Sequence, residues 1–535
     1  MQAPWRAQAS SSHIYERRLG TTELASYWDG QFNGTADALH HAYFEVKNGD
    51  PNVVLSRSRI SKIWRLLKHQ FPLLGCRAER RSDTDIFFVV DEQALREVSS
   101  SELEYKPAGS AEEVIDIMDR IVAGPRLLSD ALQARIFVFP RTDQPRQCHI
   151  IFHLAHCITD GFSGILLSRT FLEYLRSPLG EPLNLRTRLS LTLPSEDLFP
   201  SASLSQARRR WIRAISLIIN SNQLARSPGG HTLPRRVTST TPFTHGHPGF
   251  MSSMFSVEDS QRVIRNCKRL RVTFGNVYPV LGQVALVRVL LRRYLNGEID
   301  EEEWEYRKRE PMGMSCPVNL RPYYNREWQR KGGAHNVSLF VGFFLLILPF
   351  MPLGEAQDIR PGVPLPTFSQ LLTPSRFLLR SRSVKQQMAN VIQNPLGLDV
   401  LNAGLPGHIQ TLREVVRVAN QTPKMTRDLT LLTPMEQSRK GFVIISGGSS
   451  VGNVDALLPP EYGSENGVKI AFHPSATRLR CRPMELYLVT TTFRDKLQMY
   501  VFFDKDVYDQ EVVEEWLEEI RAATLHYLGE DIAKL

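Results

Sequence analysis

Apolar positions along this chain switch repeatedly between two spacings, and the switches mark out a mixed α/β protein. In "SRISKIWRLLKHQFP" Ile60, Ile63, Trp64 and Leu67 recur at helical spacing, which predicts a helix stopping at Phe71-Pro72. "LLGCRAE" and "DIFFVV" follow as strands. "QARIFVFP" and "CHIIFHLAH" are apolar runs of strand length joined by the turn-rich "RTDQPRQ", and predict neighbouring strands. After Asp160-Gly161, "FSGILLSRTFLEYLRSP" returns to helical spacing and ends at Pro178.

From Pro178 to Pro200 the chain is polar and proline-bearing and reads as a linker. "LSQARRRWIRAISLIINSNQLAR" then sets Leu204, Ala207, Trp211, Ile215, Ile218 and Ile219 at helical spacing. Its Arg208, Arg209, Arg210 and Arg213 would suit a membrane surface. A helix packed on the protein with its arginines in water is the plainer and favoured account. Further on, a helix is predicted from Val257, capped by Ser256, and another from near Thr273 to the stop at Asn296-Gly297. "EIDEEEWEYRKRE" reads as a charged connection and "PMGMSCPVNLRP" as a strand. The run from Leu339 to Phe350 is too short to span a bilayer and is broken by Pro349, so it predicts a strand buried on both faces. "ELYLVTTTF" and "LQMYVFFD" flank Arg494-Asp495-Lys496 as a hairpin. The final helix turns Val513, Trp516, Leu517, Ile520 and Tyr527 inward. The simplest architecture is an α/β (α+β) pair of lobes, 1–200 and 251–535, joined by a segment 201–250 that carries the arginine-rich helix.

Composition narrows this picture without choosing a function. The 535 residues, 42% hydrophobic and 23% charged, are ordinary for a soluble globular protein with room for large cores. Six cysteines without any C-x-x-C spacing suit free thiols in a reducing compartment, neither a disulfide framework nor a metal site. The first residues lack an apolar stretch of signal-peptide type, so a cytoplasmic location is expected and the sequons at Asn33 and Asn336 stay unused. The net charge of +9 is spread along the chain with no nucleic-acid motif beside it. It would suit a polyanionic small molecule equally well. Neither G-x-x-x-x-G-K-[ST] nor G-x-G-x-x-G occurs, so nucleotide hydrolysis and dinucleotide redox chemistry lack their usual support.

Candidate chemistry gathers in "IFHLAHCITDGFSG", Ile151 to Gly164. His156, Asp160 and Gly161 form H-x-x-x-D-G between a strand and a helix. A histidine just past a strand end can be aimed into a cleft, and its ordinary pKa lets it take a proton from a hydroxyl near neutral pH. The glycine permits a turn that directs the Asp160 carboxylate away from the ring, free to pair with an arginine elsewhere. His153 lies within the strand, where an edge-of-core or hydrogen-bonded place suits it better than zinc, since no third ligand is near. A rival is "FVIISGGSSVGN": Gly448 to Gly452 satisfies G-x-S-x-G, which would make Ser450 a hydrolase nucleophile with His473 or His526 downstream. That elbow must lead straight into a helix, and "NVDALLPPEYG" is extended and turn-rich. A Gly/Ser loop lining a cleft is the better account.

"HIIFHLAHCITDG" resembles the active-site segment of the chloramphenicol-acetyltransferase-like acyltransferases, which include peptide-synthetase condensation domains, plant acyl-CoA-dependent acyltransferases and fungal O-acetyltransferases. "LLKHQFPLLGCRAE", "VNLRP" (Val318 to Pro322) and the terminal hairpin and helix are similar to other family segments in the same order, roughly from Leu19 to Leu528. "RRLGTTELASYW" and "SSVGNVDALLPPEYG" look like the fungal trichothecene 15-O-acetyltransferase type. The plant D-F-G-W-G motif is absent, and Ala155 stands where condensation domains usually carry a further histidine. The resemblance implies two such lobes, each a mixed sheet with flanking helices, and an active-site tunnel at their interface. It implies that His156 is the general base, that Asp160, Gly161 and Arg321 support its loop, and that Ser446, Ser449 or Asn453 could supply an oxyanion donor. It further implies direct transfer from acetyl-CoA, or another acyl-CoA, as co-substrate to a hydroxyl of a small secondary metabolite such as a sesquiterpenoid. No bound cofactor, metal, nucleic acid or membrane span is implied, and the family leans to monomers. A carrier-protein-dependent condensation-like enzyme and the Ser450 hydrolase are the alternatives.

Overall fold

The computed structural model describes residues 5–9, 11–177, 179–181, 183–225, 232–236, 242–243, 245–421, 425–426, 446–463, 467–474 and 476–530. In the first lobe, strands β1 (Arg6–Gln8), β2 (Ser11–Arg18), β4 (Arg77–Arg80) and β5 (Ile86–Asp91) form a small antiparallel sheet in the order β1-β2-β5-β4. A larger sheet contains β3 (Ala38–Asn48), β6 (Leu103–Tyr105), β7 (Ala134–Pro140) and β8 (Gln147–Leu154). The second half of the chain contributes β15 (Glu461–Tyr462), β16 (Lys469–His473) and β17 (Thr477–Leu479) to it. Its order is β15-β16-β3-β8-β7-β6, with β17 also pairing with β3. The second lobe is built on a six-stranded sheet of β10 (Pro248–Met254), β11 (Met312–Asn319), β12 (Val341–Leu348), β14 (Ser446–Asn453), β18 (Leu486–Phe493) and β19 (Lys496–Asp504), ordered β10-β19-β18-β14-β11-β12. Two short strands, β9 (Pro242–Phe243) and β13 (Met425–Thr426), pair with each other.

The helices that matter for the site are α1 (Thr21–Gln31), α2 (Arg57–Gln70), α3 (Ala111–Ala123), α4 (Gly161–Arg176), α5 (Gln206–Ala225), α6 (Val257–Arg269), α7 (Phe274–Leu295), α8 (Pro374–Gln393), α9 (Gly397–Ala403), α10 (Leu405–Gln421) and α11 (Gln510–Leu528). Strand alternation divides β8 between two cores. Cys148, Ile150, Phe152 and Leu154 join the main core with Ile60, Ile63, Trp64 and Leu67 of α2 and with Phe171 of α4. Ile151 faces Val114, Met118 and Val122 of α3 instead. In the second lobe α7 is the central helix. It is long and apolar enough to cross a membrane by length and composition, but 89% of that window is buried within the fold.

Ser256 caps α6 by accepting from the Asp259 N–H, and Gly297 takes a left-handed φ of 75° after α7. Arg494 and Asp495 both have positive φ, which suits the tight β18–β19 turn. Val513, Trp516, Leu517, Ile520 and Tyr527 of α11 are all buried.

Several expectations need correction. Residues 178–200 are not a free polar linker among those described: Leu185, Leu189, Leu191, Leu198 and Phe199 are buried, the last three with Leu320, Tyr324, Trp328 and Phe340 of the second lobe. Pro194 and Pro200 open 3-10 turns within this packed segment. The acidic connection carries a short helix, Glu301–Arg307, anchored by Trp304 stacked on Tyr294. β12 is an edge strand buried on one face, with Phe344, Leu346 and Leu348 inside and Phe343 41% exposed. The run is apolar on both faces because the outer face borders a cavity. The Gly/Ser segment is not a loop. It is strand β14, parallel to both β11 and β18, and its Phe442–Ile445 approach lies outside the described residues.

Candidate active site

β8 ends at Leu154 and the chain turns at once through a 3-10 turn, His156–Ile158, into α4. Asp160 is the N-cap: its Oδ1 accepts from the Ser163 N–H at 2.8 Å, a favourable place for a negative charge. Its carboxylate leaves the lobe. Arg321 Nη1 donates to Asp160 Oδ2 at 2.9 Å and Nη2 to Oδ1 at 3.2 Å, while the Phe340 N–H adds a bond to Oδ2 at 2.8 Å. Arg321 Nη2 also donates to Ser163 Oγ and to the Ser338 carbonyl, and Ser163 Oγ donates to that same carbonyl at 2.7 Å. The guanidinium lies 4.9 Å from the ring centres of both Phe162 and Phe340. Burial alone would raise the Asp160 pKa, but Arg321 and the two backbone N–H groups hold it below the ordinary carboxylate value. A buried pair this fully bonded keeps its charge and fixes the loop to the second lobe.

His156 is partly exposed, while its neighbours Cys157 and Ile158 are buried. Its Nδ1 is buried without a hydrogen-bond partner. Burial, and after it the Arg482 charge, lower its pKa, so the ring is neutral near pH 7 and free to accept a proton. The loop therefore presents a neutral imidazole that no carboxylate orients.

Gly161 does not make the turn. It is the first residue of α4, without a positive φ, and a Cβ there would meet nothing within 4 Å. The glycine that packing demands is Gly164, where a Cβ would come within 2.3 Å of the His40 ring. His40 on β3 is buried with Nε2 unpartnered, and burial and then His156 lower its pKa to about 4. Sequence reasoning missed it; the one signal was a histidine amid "ALHHAYF" on a strand paired with β8. His153 is buried with neither ring nitrogen bonded, so it occupies a core position without the hydrogen bond that was one option for it.

A cavity of about 510 Å³ opens between the lobes. One wall is apolar: Leu320, Val341, Phe343, Leu398, Leu401 and Leu405. The other is polar. Arg482 Nη2 donates to Asp29 of α1 at 2.7 Å, and the Arg482 N–H donates to Glu485 Oε2 at 2.9 Å, with His408 and Tyr487 on the same wall. Burial pushes the Glu485 pKa up, against the pull of Arg482. His156 is not itself among the lining residues. Asp29 and Arg482 connect it to the cavity, since both act electrostatically on its ring. A second, larger cleft of about 770 Å³ lies between α3 and β10, lined by Arg120, Arg478 and Lys505 but also by Glu112, Glu113, Asp116 and Asp119. Four carboxylates make it a poor seat for several phosphates.

The Gly/Ser segment contributes less. Gly447 lines the 510 Å³ cavity, and Ser449 neighbours the Tyr487 hydroxyl. Of Ser446 the side chain lies outside the described residues. Asn453 is exposed, and its Oδ1 is engaged in capping the following turn by accepting from the Asp455 N–H. Ser450 is exposed in mid-strand, and the strand runs on to Asn453 and a 3-10 turn at Val454–Ala456, not into an α-helix. His473 pairs with Glu45, and His526 bonds Ser369. No Ser-His-acid arrangement forms around Ser450 among the described residues.

The two-lobed architecture defines a class of fold, that of the chloramphenicol-acetyltransferase-like and condensation-type enzymes. The chain aligns with the trichothecene 15-O-acetyltransferase of Fusarium sporotrichioides over 98% of its own length and 97% of that chain, at a TM-score of 0.70 and 13% identity. It also aligns with the first condensation domain of the calcium-dependent antibiotic synthetase over 96% of each chain, at a TM-score of 0.56 and 13% identity. The epimerization domain of the third module of tyrocidine synthetase B matches over 97% of this chain and 99% of that one, at a TM-score of 0.56 and 11% identity. No family model matches the chain, and no curated protein matches it.

Proposed function

We propose that the protein is an acyl-CoA-dependent O-acyltransferase, and specifically an O-acetyltransferase acting on a hydroxyl of a lipophilic secondary metabolite such as a sesquiterpenoid. One observation carries the reading: a partly exposed His156 with a lowered pKa, on a loop clamped across two lobes by Asp160 and Arg321, feels the charges of Asp29 and Arg482, which line an inter-lobe cavity. Similarity of fold to an acetyltransferase over the whole chain supports it.

In this reading His156 removes the proton from the acceptor hydroxyl as its oxygen attacks the thioester carbonyl. The tetrahedral intermediate then collapses, the C–S bond breaks, and the proton passes from His156 to the departing CoA thiolate. No acyl-enzyme forms. The developing oxyanion needs a donor, a contribution of about 3 kcal/mol in comparable sites. Of the Gly/Ser candidates with described side chains, Ser449 is the one next to Tyr487 of the cavity wall. The apolar wall of Leu320, Phe343, Leu398 and Leu401 suits a hydrocarbon skeleton, and Asp29, Arg482 and Glu485 suit its hydroxyls.

The test is purified protein with acetyl-CoA and a panel of sesquiterpene alcohols, followed by thiol release and mass spectrometry of the product. An acetyl ester formed by the wild type and lost in His156→Ala supports the reading. Turnover that survives in His156→Ala, or that requires an acyl group on a carrier protein, overturns it.

A further inference from the structure

α5 (Gln206–Ala225) turns a narrow stripe toward the protein and a wider arc away from it. Ile212 and Ser216 are buried and Ile215 and Ile219 partly so, all on one side of the helix. The helix packs on the protein and keeps its arginines in water, as the plainer account expects, but Trp211 and Ile218 of the apolar spacing stay outside the contact. Apolar residues occur nearly all round this helix, so spacing alone could not choose the inner face.

On the outer arc Trp211 is 60% exposed, Leu217 42%, Ile218 57% and Leu224 58%. Trp211 and Ile218 are two turns apart, as are Leu217 and Leu224, so the four make two parallel apolar rows. Single exposed apolar residues are ordinary, whereas four on one helix form a patch that calls for a covering surface. Arg208, Arg209, Arg210 and Arg213 are all exposed at the N-terminal end, and α5 has no aspartate or glutamate. None of the four arginines forms an ion pair among the described residues. Asp197, in the preceding segment, feels the Arg209 charge without pairing to it.

We propose that α5 seats this protein on an anionic phospholipid surface. Apolar rows sink among the upper acyl chains, Trp211 lies at the headgroup level, and the arginines meet lipid phosphates. Charge selects this occupant over a second copy of the chain, which would bring four more exposed arginines against the same N-terminal turns of the helix and no carboxylate. The chain's net charge of +9 acts in the same direction. The inner stripe of α5 packs on α9, with Asn220 against Gly404, and α9 supplies Leu398, Leu401 and Asn402 to the inter-lobe cavity. A docked bilayer would lie about one helix diameter, roughly 10 Å, from that cavity wall. The value of this nearness to a lipophilic acceptor rests on the proposed function; the docking itself does not.

The test is co-sedimentation of the full chain with phosphatidylcholine vesicles, with and without about one-third phosphatidylserine. Binding is expected to the mixed vesicles at low salt and to be weak on phosphatidylcholine alone. Replacing the four arginines by Gln, or making Trp211→Ser with Ile218→Ser, should each lower the bound fraction at least about tenfold. These side chains are exposed, so an unchanged melting temperature separates lost docking from lost folding. Brominated lipid should quench emission in the wild type, with the quenching lost in Trp211→Phe. No binding to mixed vesicles, or binding that both variants retain, overturns the proposal, as does a dimer that forms in solution and dissolves in Ile218→Ser. Acetyl transfer to a water-soluble acceptor, measured in parallel, fails on its own if the enzymatic reading is wrong and leaves vesicle binding intact.

Discussion

Two glycine-bearing segments carry the motifs a reader of this sequence would test first, and they end in opposite surroundings. His156 to Gly161 leaves a strand, turns, and caps a helix, with its aspartate bonded into the other lobe. Ser446 to Asn453 stays in a strand between two parallel neighbours. A reactive side chain needs a fixed backbone and open space in front of it. The histidine loop has the fixed backbone, through Asp160, and a partly exposed imidazole that no carboxylate holds, although His156 is not itself among the residues lining the inter-lobe cavity. The serine strand has a fixed backbone, but its glycines admit neighbouring rings instead of a substrate: a Cβ on Gly447 would lie 2.0 Å from Tyr487, and one on Gly448 2.9 Å from Tyr278.

The strongest way to break this comparison is kinetic. His156→Ala should lower kcat/KM for acetyl transfer by about 10²–10⁴-fold with the melting temperature nearly unchanged, while Ser450→Ala leaves it as it was. Thiol-release assays on both variants check this, and the opposite pattern would exchange the roles of the two segments. Next in size is the clamp. Asp160→Ala leaves the buried Arg321 charge without its counter-ion, bonded only to neutral acceptors such as Ser163 Oγ and the Ser338 carbonyl, and should cost about 3–5 kcal/mol of stability by urea denaturation. Arg321→Met leaves the buried carboxylate without its counter-ion but with two backbone N–H partners, and should likewise lower the urea midpoint. Gly448→Ala comes third. Its methyl would press within 2.6 Å of the Met314 sulfur, an overpacking of about 1–3 kcal/mol with little direct effect on His156.

The sequence carried the elements whose own residues decide them. The spacing of Ile60, Ile63, Trp64 and Leu67, the cap at Ser256 and the stop at Asn296-Gly297 all stand as read. It could not show that β16 and β17 return to the first lobe's sheet, because strand partners depend on distant chain. It misread Leu339 to Phe350, since an edge strand beside a cavity is as apolar as one buried on both faces. At the site, His156, Asp160 and Arg321 were visible through motif and resemblance. His40, Asp29 and Arg482 were not, since each reaches the site by packing alone.

pH offers a finer comparison between the site and the core. Burial lowers the pKa of His40 and His149 to about 4 and of His41 and His153 to about 3, and also lowers that of His156. In the unfolded chain these rings regain an ordinary value near 6.5. Above that pH they contribute nothing either way. As pH falls below it the unfolded chain binds protons that the folded protein refuses, so stability drains away between about 6.5 and the folded values. Urea midpoints should therefore fall steadily from pH 7 to pH 5. Activity should follow a different limb, set by His156 and lying below the ordinary histidine value. Arg482→Met removes the charge that depresses it after burial itself, and should move the acid limb of kcat/KM upward. A limb that stays put would detach Arg482 from the site.

The smallest effect sharpens the comparison most, because it sets one glycine of the histidine loop against another. Gly164 is required by packing, since any side chain would collide with His40. Gly161 is required by neither packing nor backbone: its φ is ordinary and the space beside it is empty. On folding grounds Gly161→Ala should be neutral or stabilising by less than about 1 kcal/mol, because alanine lowers the entropy of the unfolded chain and suits a first helical turn. If the space beyond Gly161 is where the acyl donor or acceptor passes, the same methyl should raise KM or lower kcat while the melting temperature holds. A variant unchanged in both stability and turnover would mean that the substrates approach His156 from its other side, across Asp29 and Arg482.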